Sequence, residues 1–334
     1  MEISFASATV KVSNHIYDDV AFVILSKLPL KSLFRFRCVR KSWSLLFENP
    51  YFMDMFRRIF LSKNHSYYND TSLLLHDEYM LYSLFGERFE NRVKLDWPNP
   101  YGEQFDFNIY GCASVNGILC IEDAGRIEGI HCIEELGRVV LWNPTTGEFK
   151  VTPPSPSAFE SPCWDPMIDL HGFGYDQVRD DYKIYSLKRN SWRKVDIDMP
   201  TQYNSGVGVQ VYMDGVCHWW SESDEVYLVS FELINEVFVK TPIPSNMDDN
   251  DIDSRILFRH LNVLNGSIVW ISNYAETGTF HISILGEVGV KESWTKLFIV
   301  GPMRDIEHPI GIGKKGDIFF RKKDNEQICL NLST

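Results

Sequence analysis

From Asp18 to about Phe47 apolar residues recur at helical spacing, and from Leu73 onwards they recur in short runs instead. Val20, Ile24 and Leu28 fall at i, i+4 and i+8, and Phe22 with Leu25 makes a second stripe, so this helix is apolar on two sides. Asp18 and Asp19 stand before it as an acidic N-cap. Pro29 stops it, because proline has no N–H to donate and disfavours helix in the residue before it. Ser32 can cap a second short helix carrying Leu33, Phe34, Phe36 and Val39. A third is predicted from about Lys41 to Phe47, with Trp43 and Leu46 three apart, and Pro50 ends it. A module of about forty residues rarely buries its own apolar surface without a metal, disulfides or a partner. No cysteine pair or ligand cluster lies in this stretch, so a partner protein is the expected cover.

After a connector, basic and then polar, the period changes to that of strands. Leu73-Leu74-Leu75 and Tyr79 to Leu84 read as a strand pair around His76-Asp77-Glu78. The short runs that follow repeat. Val115-Asn116-Gly117-Ile118 is matched by Met213-Asp214-Gly215-Val216 and by Leu264-Asn265-Gly266-Ser267, with a fainter copy at Lys315-Gly316-Asp317-Ile318. Asn-Gly and Asp-Gly take positive φ cheaply and join two twisted strands as a hairpin. The four glycines are spaced 98, 51 and 50 apart, so the first gap holds about two periods, and His171 to Tyr185 reads as a divergent unit filling it. A second strand–turn–strand element closes most units: Val140 to Phe149 running on to Pro153, Leu228 to Phe238 running on to Pro242, and more loosely Ile282 to Trp294. A period near fifty with about four strands per unit is that of propeller blades, and residues 70–334 leave room for five or six. A β-sandwich is the alternative, and it needs no period.

The N-terminal stretch resembles the F-box, in the form found in plants. The resemblance rests on Ile16, Asp19-Val20, Ile24 to Pro29, Lys31-Ser32-Leu33, Arg35 to Val39, Lys41-Ser42-Trp43, Leu46 and Pro50-Tyr51-Phe52. Two positions depart from it: Ile16-Tyr17 stands where the family usually has Leu-Pro, and Val23 where it often has Glu. Gly111 to Cys120, Leu141 to Gly147 and Gly172 to Asp176 resemble the F-box-associated region of the same family, which includes relatives encoded at self-incompatibility loci. The Gly-Phe-Gly-Tyr-Asp and Trp-Asn-Pro pieces read as structural turns. The resemblance implies a mixed α and β chain: a three-helix F-box over residues 14–60, a connector over 61–72, and an all-β, kelch-like propeller over 73–334.

Charge sharpens this division. Lys and Arg number 33 against 45 Asp and Glu, a formal net charge of −12, which argues against a general nucleic-acid-binding role. Residues 1–60 hold nine Lys or Arg and five Asp or Glu, a net of +4, leaving 24 against 40, or −16, in the remainder. Lys31, Arg35, Arg37, Arg40 and Lys41 form a run free of acids, either a solvated face or a basic rim that would speed encounter with an acidic partner. Seven cysteines show no Cys-x-x-Cys, which argues against a disulfide framework or a zinc site. Neither a signal peptide nor a membrane span is evident, so the cytoplasm or nucleus is expected. Aromatic residues make up 14% of the chain, which suits a β-rich architecture.

Candidate chemistry fails on context. Gly311-x-Gly313-x-x-Gly316 has the spacing of a dinucleotide loop but lacks the helix that must follow. Asp249-x-Asp251-x-Asp253 lacks the glycine and glutamate of a calcium loop, since Ser254 and His260 stand there. Cys217 and His218 are adjacent on a strand, so they point to opposite faces, and His218-Trp219-Trp220 reads as blade core. No catalytic residue, metal or cofactor is expected. Two acidic loops, Glu122–Arg138 and Asn246–Ser254, are candidates for target contact or are merely solvated.

The F-box resemblance implies a non-catalytic, substrate-recognition subunit of an SCF-type cullin–RING ubiquitin ligase. Its helices would dock on a Skp-type adaptor, which tethers it to the cullin–RING core. Its β domain would bind an unidentified target protein. Ile16, Val20, Ile24, Leu25, Leu28, Pro29, Leu33, Val39 and Trp43 are the expected adaptor contacts, with Trp43 and the Leu28-Pro29 corner as hot spots. The rivals are a propeller that binds protein or glycan without degradation, with Trp164, Trp219 or Trp220 as stacking platforms, and a copper oxidase, whose Tyr, His and Cys ligands cannot be assembled here.

Overall fold

A computed structural model describes residues 17–62, 73–77, 80–85, 91–98, 100, 107–123, 139–153, 173–183, 185–186, 191–192, 210–222, 226–244, 256–274, 276–313, 316–324 and 326–332. The chain divides into two compact units, Met1–Phe60 and Leu61–Thr334. The described part of the first is helical and of the second almost wholly β.

The helical unit holds α1 (Asp18–Leu25), α2 (Leu30–Phe36), α3 (Lys41–Ser44), a single 3-10 turn (Leu46–Glu48) and α4 (Pro50–Ser62). Sequence periodicity predicts three helices, and the fourth is a correction. Pro50 opens α4 rather than only closing what precedes it, because the first helical position needs no N–H and favours the fixed proline φ. Asn49 caps it: its side-chain oxygen accepts the N–H of Tyr51 at 3.0 Å and of Phe52 at 3.2 Å. Leu61 and Ser62, placed by the resemblance in the connector, continue this helix. Ser32 lies inside α2, whose N-cap is Pro29, and α1 has Tyr17 as its N-cap with no side-chain bond.

The fourth helix supplies the missing core. Phe52, Phe56 and Phe60 fall one turn apart and are buried. Phe52 stands 5.7 Å from Phe22 of α1, and Phe47 lies between Phe34, Phe52 and Phe56 at 5.1–6.4 Å. Edge-to-face and offset ring pairs of this kind add to the area they bury.

Among the described residues of the second unit, five sheets of three or four antiparallel strands follow in chain order, spanning 73–95, 107–151, 211–242, 256–300 and 306–330. Each is a meander whose neighbours in sequence are neighbours in the sheet, as in propeller blades. The first strands of the 107–151, 211–242, 256–300 and 306–330 sheets contact one another in that order, and the first strand of the 73–95 sheet contacts that of the 306–330 sheet.

The repeated turn falls where the sequence puts it. Asn116-Gly117, Asp214-Gly215 and Asn265-Gly266 join the first and second strands of three sheets, all six residues at φ between 49° and 82°. Positive φ at both central positions matches the turn to the strand twist, which is why these pairs recur. The fourth copy is a longer loop: Ile312 pairs with Ile318, and Gly313 N–H bonds Asp317 O at 2.7 Å.

Among the described residues from 173 to 192 there are two two-stranded ladders, Gly174–Asp176 with Asp181–Lys183 and Tyr185–Ser186 with Ser191–Trp192. The first strands of the 107–151 and 211–242 sheets touch directly, so the first ladder is a wedge between two blades. Phe173, Tyr175 and Tyr182 fill it, packed with Val115, Cys120, Leu141 and Tyr212.

Candidate functional site

Each predicted adaptor residue can now be placed. Ile16 lies outside the described residues. Val20 and Ile24 lie on α1, 53% and 52% exposed, and Val23 beside them is also open. Leu25 and Leu33 are 3% and 0% exposed, which corrects their reading as contacts: side chains packed under α1 and α2 have no surface to give a partner. Leu28 and Trp43 are half-buried, Pro29 is exposed, and Val39, just past α2, is 65% exposed.

The two apolar stripes of α1 therefore do different work. Ala21, Phe22 and Leu25 face the phenylalanine core, while Val20, Val23 and Ile24 face outward. Isolated exposed apolar residues need no explanation, but three on one helix with Tyr17 before it form a patch of the kind that marks interaction sites. Phe36, Val39, Leu45 and Tyr51 add further exposed apolar area on the same unit. Tyr17, Leu45 and Tyr51 were not among the candidates. Their signal was available only as apolar residues flanking helix ends, where periodicity carries no face information.

The basic run is also divided. Lys31, Arg35 and Lys41 are exposed. Arg37 is structural: its Nε donates to Ser44 O at 3.1 Å, and its guanidinium lies 5.3 Å from the Phe34 ring centre and 5.9 Å from that of Phe47. Trp43 stands edge-on to Phe36 at 6.2 Å.

In the β unit the sequence motifs resolve as architecture. Asp176 of Gly-Phe-Gly-Tyr-Asp is fully buried; it accepts the N–H groups of Val178 and Arg179 and pairs with the Arg179 guanidinium, which also donates to Ile234 O. Asn143 of Trp-Asn-Pro accepts the N–H of Thr145 and Thr146 and closes the turn through Gly147. Cys217 packs with Trp219 on one face while His218 bonds Ser230 Oγ at 2.8 Å on the other. Burial pushes the Cys217 thiol up to about 12 and the His218 imidazole down to about 3, so neither is poised as nucleophile or base. Trp219 and Trp220 are buried, which removes them as glycan platforms; Trp164, both acidic loops beyond Asp123 and the Asp249–Asp253 run lie outside the described residues. Among the described residues, no three His, Cys, Asp or Glu side chains stand close enough to hold a metal ion.

Residues 121–333 match the F-box associated beta propeller domain. The chain belongs to that family. F-box protein CPR1 of Arabidopsis thaliana is 22% identical over 331 residues, covering 86% of this chain and 74% of the relative. An F-box/kelch-repeat protein of the same plant is 24% identical over 316 residues, 86% of this chain and 80% of the relative. A third Arabidopsis relative, also carrying F-box in its name, is 25% identical over 252 residues, and this chain spans 62% of its length. In this F-box-associated chain the match begins at Ile121, inside the Ile118–Asp123 strand, and α1 lies upstream of it in sequence.

Proposed function

We propose that this chain is the substrate-recognition subunit of an SCF-type cullin–RING ubiquitin ligase, acting in the cytoplasm or nucleus. The helical unit docks on a Skp-type adaptor through Tyr17, Val20, Val23, Ile24, the Leu28-Pro29 corner, Val39 and Trp43. Leu25, Leu33 and the phenylalanine core hold that face in shape. The propeller binds the target protein. No group on this chain need react. Tethering a target lysine near a reactive thioester raises its effective concentration, and positioning alone supplies the rate.

The observation that carries this reading is the Val20 and Ile24 stripe of α1, left open in a chain whose propeller is of the F-box-associated family. Covering it would stabilise a complex in proportion to the apolar area removed from water. The exposed Lys31, Arg35 and Lys41 suit an acidic partner and would show as salt-dependent association. The test is co-purification of the full chain with a Skp-type adaptor. Wild type is expected to hold it and a Leu28→Asp, Trp43→Ala double variant to release it. Equal recovery from both would end the assignment.

A further inference from the structure

The contacts that hold Arg37 use only part of it. Its Nε donates to Ser44 O at 3.1 Å, and its guanidinium lies against the stacked rings of Phe34 and Phe47, 5.3 Å and 5.9 Å from their centres. Ring contacts of this kind leave the N–H groups along the guanidinium edge unspent. Among the described residues nothing accepts from Nη1 or Nη2, and neither nitrogen is sealed from water. The side chain is partly buried and fixed, with its fork still open.

This separates Arg37 from the exposed cations of the same acid-free stretch, 31–41. Lys41 is exposed, and a long exposed side chain gives up rotamer freedom when it pairs, so such pairs contribute little. Arg37 has given up that freedom already, in folding. Its neighbours differ as well. The bond to Ser44 O sets the guanidinium beside the Ser44-Leu45 peptide, and Leu45, Val39 and Phe36 are 54%, 65% and 38% exposed. A partner that covers these apolar side chains shuts water away from the cation beside them. A charge desolvated with nothing to pair it is costly, so the covering surface must bring an anion. An arginine bordered by apolar contacts that exclude water has the make-up of a binding hot spot.

We propose that Arg37 is the anchor for a side-chain carboxylate of the protein that docks on the helical unit. Two N–H groups in one fixed plane match the two oxygens of an Asp or Glu and give a bidentate, charge-assisted pair. A lysine here would offer a point charge without that match. The inference rests on the ligase reading, in which the docking protein is a Skp-type adaptor. The open stripe of α1 supplies apolar area, and Arg37 adds selectivity for an acid at one place.

The experiment is calorimetric titration of the full chain with an unphosphorylated Skp-type adaptor, so that the anion read is a carboxylate. The adaptor's Asp and Glu residues are changed one at a time to Asn and Gln. Arg37→Gln should weaken binding of the unaltered adaptor at least tenfold, and Lys41→Gln less than threefold. One adaptor carboxylate should cost at least tenfold against the wild-type chain and less than threefold against Arg37→Gln. A merely structural arginine would leave every adaptor substitution with the same cost in both chains. If Arg37→Gln fails to fold, Arg37→Lys, which keeps the charge and loses the fork, carries the same cycle. The inference is overturned if Arg37→Gln loses less than tenfold, if Lys41→Gln loses as much, or if no adaptor carboxylate shows that difference. An adaptor that does not bind the wild-type chain overturns the ligase reading and this inference together; one that binds it but fails these criteria overturns this inference alone.

Discussion

Truncating the open stripe of α1 should separate binding from folding. Val20 and Ile24 are each about half exposed, so a Val20→Ala, Ile24→Ala double variant removes area that only a partner would fully cover. Burying a Val or Ile side chain entirely contributes about 1.5–3 kcal/mol, so the exposed half of each is worth about 1 kcal/mol to a complex. The pair then amounts to about 2 kcal/mol, or roughly thirtyfold in dissociation constant at about 1.4 kcal/mol per tenfold. The folding cost should be small, because alanine favours helix over β-branched residues by roughly 0.5 kcal/mol per position, which offsets part of the lost packing. Leu33→Ala is the reciprocal control. It empties a site with no exposure and should cost about 2–5 kcal/mol of folding stability, while leaving the outward face unaltered in the folded fraction. Calorimetric titration with a purified Skp-type adaptor and urea unfolding of the same samples read the two effects. A double variant that binds within threefold of wild type, or that loses as much stability as Leu33→Ala, would refute the division of α1 into a packed and an open stripe.

Further outcomes follow from the packing. Asn49→Ala removes the cap of α4 and should cost about 1 kcal/mol in urea unfolding, with Asn49→Asp restoring most of it. Gly174→Ala would place a methyl 2.5 Å from Leu233 Cδ1 and 2.8 Å from the Tyr212 ring, so the wedge between two blades must shift at a cost of about 1–3 kcal/mol; an unchanged thermal midpoint would show that the wedge yields freely. His218, with its pKa lowered to about 3 by burial, binds its proton in the unfolded chain first. Its contribution is therefore complete above the ordinary histidine range and is lost as pH falls from about 6.5 towards 3, at about 1.4 kcal/mol per pH unit. His260, lowered to about 4 by burial and by His308, adds a second such slope. A His218→Gln variant should lower the acid sensitivity of the urea midpoint, and equal slopes in the two proteins would remove His218 as its source.

Local chemistry was readable wherever a residue type has one physical use. Asn116-Gly117, Asp214-Gly215 and Asn265-Gly266 need positive φ twice in succession, and nothing but a tight hairpin asks for that. The two apolar stripes of α1 were visible as well. Which stripe would be buried was not, because that depends on α4, and α4 was hidden by a proline that reads equally as an end and a beginning. Leu25 and Leu33 were mistaken for contacts for the same reason: without the phenylalanine core they had no assigned place inside. Spacing in the His171–Tyr185 segment does not show that the first strands on either side of it touch.

Hydrogen–deuterium exchange of the full chain with and without a Skp-type adaptor tests the central claim most directly, because it reports where a partner covers the molecule. The account expects new protection across α1, the Leu28-Pro29 turn and residues 39–45, with the propeller strands unaltered. Protection confined to the propeller, or none on α1 at saturating adaptor, would contradict it.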